Sequence, residues 1–71
     1  MQIATTHMNG TPANDVDIYL DTRGRLWLEG QPVLATQVVG SRVQLIIPGA
    51  QFWIAAADYI RVRQTVPDQE Q

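Results

Sequence analysis

The chain has 71 residues, 45% of them apolar and 17% charged, and it contains neither cysteine nor lysine. That length allows one domain at most, and the composition is that of a folded globule and excludes a disulfide scaffold or a thiolate metal site. Seven acidic residues against Arg23, Arg25, Arg42, Arg61 and Arg63 give a net charge of −2, so free nucleic acid is a poor partner, because non-specific phosphate binding needs clustered cations.

No apolar run approaches the roughly 20 residues that a bilayer-spanning helix needs, and no basic stretch precedes an apolar one at the N-terminus. Together with the absence of cysteine, these features predict a small soluble protein, cytoplasmic and with no membrane contact.

Residues 1–14 carry Thr5, Thr6, Asn9, Gly10, Thr11, Pro12 and Asn14 with little periodicity, and they read as a loose N-terminal arm with one short added strand around Gln2 to Thr6. From Asp15 the chain alternates. Val16, Ile18 and Leu20 fall on one side, with Asp15, Asp17, Tyr19 and Asp21 on the other, which is the signature of a strand buried on one face. Thr22-Arg23-Gly24 supplies a tight reversal, and Leu26 and Leu28 continue the buried face with Trp27 and Glu29 outside.

Gly30 and Pro32 stop that strand. A third run, Val33 to Val39, has apolar residues on both faces and ends at the two-residue turn Gly40-Ser41. Val43, Leu45 and Ile47 alternate next, and Pro48-Gly49 punctuates again. Phe52 to Ile54 forms a fifth run. Ala55 to Asp58 favours a single helical turn, after which Ile60 and Val62 alternate with Tyr59, Arg61 and Arg63 as a last strand. Residues 64–71 are polar, acidic and interrupted by Pro67, and are expected to be a disordered tail.

These runs predict an all-β fold over residues 15–63, with five or six short strands. That span is too short for a sandwich, which needs nearer ~100 residues, and fits a small barrel. The segment Phe52-Trp53-Ile54-Ala55-Ala56-Ala57-Asp58-Tyr59-Ile60-Arg61-Val62 resembles the end of an SH3-like barrel, in which an aromatic strand enters a one-turn helix and leaves into a last strand. The resemblance implies an SH3-like barrel with a short helical turn near residues 55–58. It implies no ligand, since an acidic stretch with a groove-lining tryptophan has no counterpart in this chain.

Catalytic chemistry finds little to stand on. The one histidine, His7, lies in the predicted arm, where nothing rigid holds it against a substrate proton. Asp15, Asp17 and Asp21 share a strand face, but the further oxygen ligands and glycine bend of a calcium loop are missing, so a solvated face is the simpler reading. The sequence contains no zinc spacing and no phosphate-binding glycine loop. The expectation is a protein that is not an enzyme, with no catalytic or metal residues and no cofactor.

The aromatic residues say more. Alternation puts Tyr19 and Trp27 opposite the buried face, within reach of each other across the Gly24 turn, and Trp53 opposite Phe52 and Ile54. Tyr59, Arg61 and Arg63 share one face of the predicted last strand. Trp, Tyr and Arg dominate interface hot spots, so Tyr19, Trp27, Trp53, Tyr59, Arg61 and Arg63 are the candidate partner-binding residues. The blander alternative has both tryptophans capping the barrel ends or packing beneath the arm.

Val38, Val39 and Ile46 stand opposite Leu45 and Ile47, which points to a covering arm, a protein partner or a second copy. The resulting expectation is a non-enzymatic protein-binding module, in the manner of a phage or plasmid accessory protein acting on a host factor. The alternative is a nucleic-acid-associated barrel that stacks bases on Tyr19 and Trp27 with Arg23 and Arg25 on phosphates.

Overall fold

The computed structural model describes residues 1–65 of the chain. Seven strands and one helix follow in order: β1 (Gln2–Thr6), β2 (Pro12–Leu20), β3 (Leu26–Leu28), β4 (Gln31–Pro32), β5 (Ala35–Val39), β6 (Arg42–Ile47), β7 (Ala50–Ala55) and α1 (Ala56–Arg63). The strands make one antiparallel sheet in the order β4-β3-β2-β1-β7-β6-β5.

The sheet curls into a half-barrel, and two adjacent residues show how far. Val33 donates its N–H to the Leu26 carbonyl on β3 at 3.0 Å, and Leu34 donates to the Ile46 carbonyl on β6 at 2.7 Å. The short link between β4 and β5 therefore steps from one side of the sheet to the other. An open end is left beside it.

Alternation sorts the side chains as the sequence predicts. Ile3, Val16, Ile18, Leu20, Leu26, Leu28, Val43, Leu45, Ile47, Ile54 and Val62 form one buried cluster, and Leu28, Leu45 and Ile54 are wholly excluded from solvent. Each such side chain contributes about 1.5–3 kcal/mol of burial. At the β2–β3 turn, Gly24 takes φ 81°, while the Asp21 carboxylate accepts the backbone N–H groups of Arg23 and Arg25 at 2.8 and 2.9 Å. Gly40 takes φ 60° at the first position of the two-residue β5–β6 loop, as a hairpin of that length requires.

Three expectations need correction. The strand count is seven, because the N-terminal strand and a separate two-residue strand at Gln31–Pro32 join the sheet while the predicted last strand does not. The N-terminal arm is not loose: its added strand is β1, paired to β2 on one side and β7 on the other, with Ile3 and Thr5 buried. Unpaired, a central strand would leave two rows of backbone groups unsatisfied, so the sheet depends on it.

The third concerns the end of the fold. The predicted one-turn helix at 55–58 and last strand Tyr59–Arg63 are replaced by the eight-residue helix α1. Ala56, Tyr59 and Val62 recur every three residues and pack on the core as one helical face. An eight-residue helix is marginal alone in water, so this packing is what sustains it. Asp58 in its first turn and Arg61 and Arg63 in its last suit the helix dipole. Of the predicted tail, Gln64 donates its backbone N–H to the Ile60 carbonyl at 3.0 Å, and residues 66–71 lie outside the described residues.

Candidate functional site

The six candidate residues fall in three places. Tyr19 and Trp27 are directly paired on β2 and β3, with rings nearly parallel at 6° and centroids 6.4 Å apart. This is the cross-strand pair that alternation predicts, offset rather than face to face. The Trp27 indole N–H donates to Asp21 Oδ2 at 2.9 Å. That bond, followed by the backbone donors Arg25 and Arg23 and the Arg25 charge, holds the Asp21 carboxyl below the usual aspartate range, against a smaller opposing desolvation. Asp21 thus fixes both the turn and the indole.

Trp53 departs from the expectation of an exposed ring. It is 9% exposed, although it sits on the outer face of β7 in register with Gln44 and Thr6. The Arg42 guanidinium lies 4.9 Å above its ring centre and donates to the carbonyls of His7 and Met8 at 3.1 and 3.0 Å. One arginine clips the β1–β2 connection over the indole. A cleft of about 340 Å³ opens beside it, lined by Thr6, His7, Asn14, Gln51 and Phe52 among others. Among the described residues the indole N–H is buried without a partner, and Trp53 itself also lines the cleft. Trp53 is thus packed beneath this connection, whereas Trp27 stays half-exposed.

Tyr59, Arg61 and Arg63 lie on α1 and not on a strand face. Arg61 pairs with Asp58 at 2.7 Å. Tyr59 is half-buried on the core, and together with exposed Arg63 it lines a second cleft of about 460 Å³ at the open end of the barrel. Gly24 and Arg25 of the β2–β3 turn line it too, with Leu26, Pro32, Val33 and Leu34. Ala35 and Thr36 at the head of β5 complete it.

Strand β5 forms an edge of the sheet and is exposed along its whole length. Edge strands ordinarily carry a charge, a proline or a bulge that blocks a foreign strand. The opposite edge is only two residues long and ends on Pro32. Ala35-Thr36-Gln37-Val38-Val39 has no such device, and Leu34 and Val38 are 64% and 67% exposed. Val38 and Val39 were legible as surplus apolar residues in the sequence, but Val38 shares the side of Val43 and Leu45 and does not stand opposite Leu45 as expected. Arg25 carried no signal for this site, because its partner in the cleft arrives on a helix from the far end of the chain.

Among the described residues no cluster of three or more His, Asp or Glu side chains is placed to hold a metal ion, and no helix is long and apolar enough to cross a membrane. Fold and site define a small curled antiparallel β-sheet closed by one helix, with an unprotected edge strand. Compared with known proteins, the chain matches no family model, no curated protein and no solved structure.

Proposed function

We propose that this chain is a non-enzymatic protein-binding module that takes an extended segment of a partner along β5. The observation that carries the reading is Val38, which lies on the core side of the sheet and is nevertheless 67% exposed. A strand added to the edge would satisfy the free backbone groups and cover that side chain, which is how peptides augment other exposed sheets. The earlier candidate surface of six residues is thereby narrowed: Tyr59 and Arg63 adjoin β5, and Trp53 is removed.

An SH3-like assignment is supported by the small curled sheet and opposed by a helix where that pattern places a last strand. As an accessory protein acting on a host factor, the chain would use the same edge. The test is capture from the native cell with the parent chain and with Val38→Lys side by side. Lysine is a natural edge blocker, so a partner retained by the parent and lost by the variant supports the reading. Equal recovery would sink it.

A second reading rests on the Tyr19–Trp27 stack beside the turn that carries Arg23 and Arg25. Stacked rings with nearby arginines are a platform for bases. Asp15, Asp17, Asp21 and Glu29 on the same two strands and their loops work against it. Titration with a single-stranded oligonucleotide decides, since a nucleic-acid binder loses affinity steeply with rising salt.

A further inference from the structure

The cleft at the open end of the barrel combines two kinds of wall. Leu26, Pro32, Val33 and Leu34 are apolar, whereas Arg25 of the β2–β3 turn and Arg63 and Tyr59 of α1 line the same cleft. Neither arginine forms an ion pair among the described residues. Arg25 acts on Asp21 through its charge only as the smallest of that carboxyl's influences. Among the described residues no acidic side chain lines the cleft. Two of the five cations of an otherwise acidic chain thus line one recess of mixed polar and apolar character.

The recess is continuous with β5, because Leu34, Ala35 and Thr36 line it. An extended segment added along that edge would run its end into the cleft. We infer that the cleft recognises a carboxylate side chain, Asp or Glu flanked by apolar residues, in the strand that β5 accepts. This rests on the proposed strand addition and specifies the partner's chemistry. Guanidinium forks suit a carboxylate because they can donate two parallel hydrogen bonds to it.

A second copy paired through its own β5 does not meet the requirement. Pairing β5 to β5 would present Leu34-Ala35-Thr36-Gln37-Val38-Val39, which has no acidic residue. The matching occupant is a different chain with an acidic, β-prone segment.

The experiment uses the full chain and two dye-labelled, end-blocked peptides of alternating Val and Thr, one with a single Glu and one with Gln in its place. At low salt the Glu peptide should bind about ten-fold tighter, the scale of one charge-assisted hydrogen-bonded pair, and the preference should shrink as salt rises. Arg25→Gln and Arg63→Gln should each reduce that preference, with circular dichroism confirming the fold. Val38→Lys should abolish both peptides.

Equal binding of the two peptides by the parent overturns carboxylate recognition and leaves strand addition standing. A Glu preference that survives the double arginine variant also overturns it. Failure of both peptides to bind the parent overturns the inference, and the cell capture with Val38→Lys then judges the strand edge separately. Sedimentation showing a dimer that Val38→Lys makes monomeric assigns the edge to a second copy and overturns the stated partner.

Discussion

Val38 and Val43 face each other across β5 and β6, on the same side of the sheet, yet Val43 is 1% exposed and Val38 67%. Thr36 and Leu45 repeat the contrast one pair along. The core therefore stops between β6 and β5, and the last strand extends past the layer of side chains that covers its neighbours. A strand in this position costs backbone order and recovers little burial of its own.

Val38→Lys follows from that contrast. The substitution removes no buried contact, so thermal unfolding should place its stability within about 0.5 kcal/mol of the parent. Binding to the edge should nevertheless disappear. A large loss of stability would mean that Val38 is packed in the folded state, and the unprotected edge would not exist.

Asp21 predicts an acid transition. Its folded pKa lies below the ordinary aspartate value, chiefly through the Trp27 indole bond, so its contribution to stability is present above the unfolded-state value of about 3.9. It is lost as the pH falls through the folded value. Asp21→Asn puts an amide N–H or a weaker acceptor opposite the indole and should flatten this part of the curve. Urea unfolding from pH 6 to pH 2, followed by fluorescence, checks it. Identical pH dependence in parent and variant would show that the carboxylate does not hold the turn.

Arg42 should matter more than an exposed arginine. Arg42→Met keeps most of the aliphatic stem but removes the cation over Trp53 and the bonds to the His7 and Met8 carbonyls. A loss of about 1–3 kcal/mol is expected from the two effects together. Amide exchange should accelerate in residues 7–11 and stay slow in β6. If exchange rises uniformly instead, Arg42 supports the whole sheet and does not clip one connection.

Much of this fold is legible in the sequence because period-two alternation reports burial on one face, and the buried side of β2, β3 and β6 follows directly. The turns at Gly24, Gly40 and Gly49 are legible because few residues substitute for glycine there. The place of β1 is not, since Ile3 and Thr5 alone are too few for a periodic signal, and a central strand is defined by partners far along the chain. Trp53 misleads for a related reason. Alternation puts it outside correctly, but the loop and arginine that cover it are not on its strand. The arginine cleft is hidden in the same way, for Arg25 and Arg63 meet only once α1 has packed.

The end of the chain offers the sharpest discrimination between local pattern and tertiary packing. Ile60 and Val62 are two residues apart, so a strand would give them the same side, as alternation suggests. In α1 they lie about 200° apart around the axis, and Val62 is 1% exposed while Ile60 is 53%. Val62→Ala should cost about 2 kcal/mol through lost burial and an unfilled cavity. Ile60→Ala should change stability by no more than about 0.5 kcal/mol, because alanine also gains in helix propensity what it loses in surface contact. Chemical denaturation of the two variants gives the answer directly. Equal costs would place both side chains on one face, replace the helix by a strand and take Tyr59 and Arg63 away from the cleft.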